Sequence, residues 1–400
     1  MTGEASEHFL RRLLGGDFLL WSPNIQAEGF LNWDKIWATR TIKRGTPKPL
    51  PRAARPLDLV FDSHGAMRTV DDLMRWEFVS GLLVVKDGEI KLERYAKGLT
   101  PERCWQSSSM VKSLASILIG AAIHDGAIAG VDQPIIDYLP ELSGSSYEGV
   151  TIRHLLHMAS GVSWVENTDD LNTDVAEHYI KVIAARKANY IVNYLRTRPR
   201  ANPPGAQFYY NTGDTFLLSH ILGRATGMKV ADYCSQKLWR PFGFEQDGYF
   251  ILDSDDGHEV VGSCSGAALR DYARWGLFML ADGVIDGKRV VPEGWVKDST
   301  TATAPNFAFD FGGERGVADS AYKGYGYLWW VREGGDYQAL GSYGQWIYVS
   351  PTNNVVAVIL GAVPRHVYMT KDELALHKDS SHCGSEMRLD FVKAAMKALC

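Results

Sequence analysis

SSSMVKSLASILIGAAIHDG, residues 107–126, is an apolar run long enough for a helix, opened by three serines and stopped by Gly126. Within it Ser109 and Lys112 stand three apart, so on a helix they share one face. A serine at the start of a helix also sits in the positive end of its dipole, which favours an alkoxide and a developing oxyanion. The pair could therefore serve as a nucleophile and its general base, provided that Lys112 is neutral part of the time. Burial among apolar helix residues would move it that way. A capping serine followed by a lysine that snorkels to solvent fits the same four letters equally well. Ser-x-x-Lys is a short string, and average usage gives about one chance match in such a length. A second copy, Ser320-Ala-Tyr-Lys323, lies in a Gly-rich loop before a strand, where neither condition holds.

Outward from this helix the chain changes character twice. Upstream, GLLVVKDGEIKLERYAKG (81–98) reads as two β-type runs flanking Asp87-Gly88, a strong hairpin signal. Downstream, TIRHLLHMASG (151–161) opens on Thr151 as an N-cap. TGDTFLLSHILGRATG (212–227) and ALRDYARWGLFMLADG (268–283) continue a largely helical middle. Strand patterns return in GYGYLWWV (324–331), QWIYVS (345–350) and VVAVILGA (355–362), with a turn at Pro351–Asn354 and a last amphipathic helix from about Ser385 to Leu399. Residues 1–55 read as an arm ending in GTPKPLPRAARP, with Trp21 and Trp33 to pack it on the body. The expected fold is α+β: an antiparallel sheet of N- and C-terminal strands flanked by helices, with a mainly helical inserted lobe. The expected boundaries are 1–55 for the arm, 56–125 with 320–400 for the sheet lobe, and 126–319 for the helical lobe. The active site would lie at their junction.

Hydrophobic residues make up 46% and charged residues 22% of the 400, the mix of a globular protein with a large core. A net charge of −5 gives no pull toward nucleic acid or an anionic membrane. No apolar run approaches the ~20 residues that span a bilayer. The five cysteines are widely spaced without a CxxC, which reads as free thiols in a reducing compartment. The N-terminus has acidic residues where a leader wants basic ones, so the expected location is the cytoplasm. The oligomeric state stays open, with the Trp-bearing arm as the surface through which a homodimer would form.

Other catalytic patterns are poorer. No GxSxG is present; Gly262-Ser-Cys-Ser-Gly266 puts Cys264 at the elbow without strand–turn–helix context, and reads as a buried structural thiol. HExxH, P-loop and GxGxxG patterns are lacking. His154 and His157 share a helical spacing but have no third ligand, so neither a metal nor a cofactor is expected.

The ordered segments SSSMVKS, HDG, VDQPIIDYLPEL and VTIRHLLHMASGV together resemble the penicillin-recognising serine hydrolases, in the class C β-lactamase and family VIII esterase branch. Within that branch the chain is most similar to the 6-aminohexanoate-dimer hydrolases, the nylon-oligomer amidases, over about Gly81 to Leu360. The resemblance implies Ser109 as nucleophile and Lys112 as base. The family's Tyr-x-Asn/Ser motif falls in PPGAQFYYNTGDT; spacing from Pro204-Gly205 and Phe208 puts the catalytic tyrosine at Tyr210, Tyr209 in reserve, and Thr212 third. The family's Lys-Thr-Gly or His-x-Gly triplet is missing, and the matching segment is Gly341-Ser342-Tyr343-Gly344-Gln345. The resemblance then implies an oxyanion hole of the Ser109 and Ser342 N–H groups, with Gly341 and Tyr343 beside the substrate. Loss of the triplet argues against true β-lactamase or transpeptidase activity, which uses it to hold a carboxylate. Thr168 stands where a class A deacylating glutamate would be. Relatives hold a substrate amine with an acidic residue near WVENTDDLNTD (164–174), which nominates Asp169, Asp170 or Asp174; a solvated loop face is the competing reading. Trp164 and Trp329–Trp330 would line an apolar cleft or the core. The expected function is cleavage of a small-molecule amide or ester through an acyl-enzyme. Acyl transfer to another acceptor and a non-catalytic sensor are the alternatives.

Overall fold

The computed structural model describes residues 21, 23–167, 170, 172–179, 181, 185–307, 322–364 and 386–399. The arm holds helix α1 (Pro23–Leu31) and strand β1 (Thr39–Ile42), and the hairpin β2 (Val60–Ser63)–β3 (Ala66–Thr69) follows it. The strands β4 (Val79–Lys86) and β5 (Glu89–Tyr95) lead through the short β6 (Trp105–Gln106) into helix α2 (Val111–His124). The middle holds α3 (Thr212–Thr226), β7 (Gly248–Ile251), β8 (Ser265–Ala267) and α4 (Leu269–Leu280), followed by the small hairpin β9 (Val284–Ile285)–β10 (Lys288–Arg289). The C-terminal part supplies β11 (Tyr322–Tyr325), β12 (Trp330–Arg332), β13 (Tyr337–Gly341), β14 (Gln345–Ser350), β15 (Val355–Gly361) and α5 (Glu386–Leu399).

Seven strands form the main antiparallel sheet in the order β11-β12-β13-β14-β15-β4-β5. N- and C-terminal strands meet where β15 pairs with β4, Leu82 opposite Ile359. Both are buried almost throughout because helices cover the two faces, so they read as continuous apolar runs without alternation. The Asp87-Gly88 turn closes β4 onto β5 with both residues at positive φ, the conformation of a two-residue type I′ hairpin.

Three local outcomes differ from the sequence pattern. GYGYLWWV is two short strands and a turn, because Gly326 sits against the Ser299 backbone, where a Cβ would lie 2.0 Å from its carbonyl oxygen, and Leu328 takes φ +61°. The helical middle contributes β7 and β8 to a second sheet, β1-β7-β8-β6. These strands are three or four residues long and wholly buried, so no alternation advertises them. TIRHLLHMASG is helical only over Ile152–Leu156, although Thr151 caps it through a capping box with His154. Among the described residues no helix is long and apolar enough to cross a membrane. Cys104, Cys234 and Cys264 are free thiols.

Candidate active site

Helix α2 is preceded by a single 3-10 turn, Ser108–Met110, so Ser109 stands at the entrance to a 14-residue helix. From Trp105 to Ala122 every residue except Ser109 is buried. The apolar sequence therefore sinks the helix and leaves Ser109 as the one partly exposed residue of the run. Lys112, only 1% exposed, points back along the same face. Its Nζ donates to Ser109 Oγ at 2.9 Å and to the Gly262 carbonyl at 2.5 Å. The lysine does not snorkel to solvent, since its Nζ is held inside the protein.

The turn carrying Ser109 is strained and held from several sides. Ser108 has φ +44°, a conformation that survives for a non-glycine residue only when its surroundings impose it. The Ser108 N–H donates to Gln106 Oε1 at 2.5 Å, and the Ser108 carbonyl accepts from Cys264 N–H at 3.0 Å. Ser107 N–H donates to the Ser265 carbonyl at 2.8 Å, and Ser265 N–H donates to Ser107 Oγ at 2.9 Å. The GSCSG segment thus forms the floor under the nucleophile turn and supplies the carbonyl that orients Lys112. Cys264 itself is buried, and burial pushes its thiol up to about 12, where it is inert at neutral pH.

Helix α3 brings the tyrosines. Asn211 is its N-cap, accepting from Asp214 N–H at 3.1 Å, and this fixes the backbone just before it. Tyr210 is half-buried, stacks on Trp330 at 5.7 Å and lies with its ring centroid 5.1 Å from Lys112 Nζ. Tyr209, its neighbour, is 48% exposed. Thr212 is fully buried; its N–H donates to Glu166 Oε2 at 3.0 Å and its hydroxyl also reaches that carboxylate. Trp164 is buried as well, its indole N–H donating to Glu166. Asp214 is buried in the first turn of α3, and burial pushes its carboxyl up to about 7 despite the Tyr147 hydroxyl it accepts at 3.0 Å.

Opposite, β13 ends at Gly341, and a Cβ there would lie 2.4 Å from the Ser107 carbonyl oxygen and 3.0 Å from Ser108 Cβ. Only glycine lets this strand end press on the nucleophile turn. Ser342 is partly exposed, and Tyr343 follows at φ +64°. Gln345 fastens the turn: its amide donates to the carbonyls of Ser342, Tyr343 and Gly361, and its oxygen accepts from Trp105 Nε1 at 2.9 Å. Behind it, the buried Arg388 of α5 donates to the Gly344 carbonyl at 2.8 Å and pairs with Glu77 at 2.8 Å.

The structure thus brings Ser109, Lys112, Tyr210, Gly341 and the Ser342 turn together. Other nominated residues lie elsewhere or are otherwise engaged. Asp174 is buried, bound by Arg198, Tyr194 and the Val165 N–H. Asp170 is exposed and caps Asn172, while Asp169 falls outside the described residues. Trp329 is fully buried, and Lys323 pairs with Glu333 at the surface; its partner Ser320 is not described. His154 and His157 serve local structure, His157 against Thr303. Among the described residues no three His, Cys, Asp or Glu side chains are grouped as a metal ion would require. Sequence reasoning missed Glu166 and the role of the Gly262 carbonyl. It also missed His178, whose fully buried ring lies 4.1 Å from that of Phe216 and is held neutral by burial and by the charge of Lys112.

The Beta-lactamase family model matches residues 68–374. The 6-aminohexanoate-dimer hydrolase of Paenarthrobacter ureafaciens is 29% identical over 287 residues, 70% of this chain and 72% of that protein. A solved Bacillus anthracis structure described as a 6-aminohexanoate-dimer hydrolase has a TM-score of 0.75 at 21% identity, covering 94% of both chains. A family VIII carboxylesterase has a TM-score of 0.56 at 13% identity, covering 79% of this chain and 91% of its own. The two structural likenesses establish a common fold, and the family model spans most of the sequence, including the nucleophile helix, the tyrosine segment and the Gly341–Gln345 turn. The chain belongs to the Beta-lactamase family.

Proposed function

We propose that this protein is a serine hydrolase that cleaves an amide or ester bond of a small molecule through an acyl-enzyme on Ser109. The observation that carries the reading is the 2.9 Å contact between Lys112 Nζ and Ser109 Oγ, made where the buried lysine meets the partly exposed serine. In this reading a neutral Lys112 takes the hydroxyl proton as Oγ bonds to the substrate carbonyl carbon. The N–H groups of Ser109 and Ser342 hold the resulting oxyanion. The bond to the leaving nitrogen or oxygen then breaks, and that atom receives the proton through Lys112 and the Tyr210 phenol. A water repeats the sequence in reverse order, releasing the acid and restoring the serine.

The relatives named for amide and ester cleavage favour a substrate of the 6-aminohexanoate-oligomer or short-ester type. No lysine or histidine stands in Gly341–Gln345 to grip a carboxylate, so a β-lactam is expected to be a poor substrate. The free thiols go with a reducing, cytoplasmic location. The test is a screen of p-nitrophenyl butyrate, a 6-aminohexanoate dimer and nitrocefin, with wild type and Ser109→Ala, with and without an added amine acceptor. Loss of turnover in the variant and a fluorophosphonate mass shift confined to Ser109 would support hydrolysis at this residue. Retained activity in Ser109→Ala would refute it, and acylated amine as the main product would replace hydrolysis by acyl transfer.

A further inference from the structure

The two N–H groups assigned above to the oxyanion belong to separate parts of the chain: the direct contact at Gly341 limits how closely those parts approach, and their relative orientation depends on what else braces them. Ser109 follows β6, whose Trp105 is fully buried. Ser342 precedes Tyr343, whose ring is also buried. The Phe30 ring, at the end of α1 and 1% exposed, touches both: its centroid lies 5.6 Å from that of Trp105, edge-on at 87°, and 5.5 Å from that of Tyr343. Such aromatic pairs have preferred geometry as well as buried area, so the contact fixes orientation and not only volume.

Helix α1 is itself anchored on both sides of this gap. Arg103, just before β6, donates to the Leu31 carbonyl and to Asn32 Oδ1, and Trp33 and Trp21 pack on Phe30. On the other side Gln26 donates to the carbonyl of Val363, and Val363 N–H donates to the Tyr343 carbonyl at 3.0 Å. The arm precedes the residues that the family model matches, yet it reaches the inner side of the site.

We propose that Phe30 is a positioning residue for catalysis: the N-terminal arm wedges it between the nucleophile strand and the Ser342 turn and so, together with the direct contact at Gly341, sets the width of the oxyanion hole. The proposal rests on the acyl-enzyme reading. It assigns the arm a part in the chemical step, and no contact with substrate.

The experiment compares wild type with Phe30→Ala, Phe30→Leu and Phe30→Tyr. Each is assayed for kcat, KM and pH profile on p-nitrophenyl butyrate, and for binding of an alkylboronic acid. The boronate bonds to Ser109 Oγ and places an oxygen where the oxyanion forms. Widening the hole should lower kcat by about ten- to hundredfold in Phe30→Ala and by a smaller factor in Phe30→Leu. KM and the shape of the pH profile should hold, because Lys112 and Tyr210 are untouched. Boronate affinity should fall by a factor close to that in kcat, and Phe30→Tyr should retain most of both. Should Phe30→Ala fail to fold, the milder Phe30→Leu decides. A folded Phe30→Leu with wild-type kcat and boronate affinity overturns the bracing role. Wild type that neither turns over ester nor binds boronate overturns the acyl-enzyme reading, and this inference with it.

Discussion

Replacing Gly341 by alanine asks whether the strand end and the nucleophile turn touch as tightly as their backbones indicate. The new Cβ would start 2.4 Å from the Ser107 carbonyl oxygen, whereas ordinary contact begins near 3.4 Å, so something must retreat by about 1 Å. The neighbour is backbone, and it is tied to Ser265 on one side and, through Gln106 and Cys264, on the other. The strain is therefore expected to open the gap between the Ser109 and Ser342 N–H groups. Displacements of about 1 Å at a reacting centre cost roughly 10²-fold in rate, equivalent to about 3 kcal/mol of lost transition-state stabilisation. Overpacking at such a position destabilises the fold by about 1–3 kcal/mol. Stopped-flow or steady-state turnover of p-nitrophenyl butyrate gives kcat, and urea denaturation gives the stability. A Gly341→Ala protein with kcat within twofold of wild type would refute the claim that this contact sets the oxyanion geometry. Loss of activity with unchanged stability would still be consistent, because the turn could shift without unfolding.

Tyr210→Phe should lower kcat by about 10²- to 10⁴-fold, the range for a lost proton-transfer group, while Tyr209→Phe, whose ring is half in solvent, should stay near wild type; equal effects in the two would refute the assignment. Arg388→Met leaves Glu77 buried without its cation and frees the Gly344 carbonyl, so a loss of about 3–5 kcal/mol is expected, with part recovered in Arg388→Met/Glu77→Gln; urea midpoints check both. Burial, with the charges of His258 and Arg224, holds His220 neutral down to about pH 4, against Asp253 and Glu141, which pull the other way. The unfolded chain binds that proton from about pH 6.5, so this contribution is whole above 6.5 and is lost as pH falls toward 4, up to about 3 kcal/mol. Thermal melts of His220→Leu should therefore fall less steeply than wild type over that interval, and parallel slopes would exclude His220 as a source.

The parts of the site that lie on one helix were legible in the sequence. Ser109 and Lys112 are related by helical spacing, and the apolar residues between and after them dictate the burial that makes the lysine unusual. Tyr210 was reachable only through counting from Gly205 and Phe208 by resemblance, since nothing local distinguishes it from Tyr209. In the structure the distinction is that Tyr210 stacks on Trp330, a residue 120 positions later. Gly262 leaves no trace in the sequence because a backbone carbonyl carries no side-chain signature, and GSCSG stands out only for what it lacks as a nucleophile motif. Glu166 stood inside an acidic stretch where its neighbours drew the assignment; Thr212 and Trp164 single it out only once folded. The same holds for the second sheet, whose strands are too short and too evenly buried to leave a period.

The pairing of β15 with β4 has a consequence for how the chain is made. Leu82 and Ile359 are partners, 277 positions of synthesis apart. At roughly 5–20 residues per second a ribosome needs about 14–55 s to cover that distance. Throughout this interval the β4–β5 hairpin has emerged with one apolar edge unpaired, and the strand VSGLLVVK that forms it has the composition of an aggregation-prone segment. The nascent protein thus carries its serine helix to completion long before the sheet that will shield it exists. Its yield in a cell is expected to depend on chaperone occupancy of residues 79–86 more than on the stability of the finished fold.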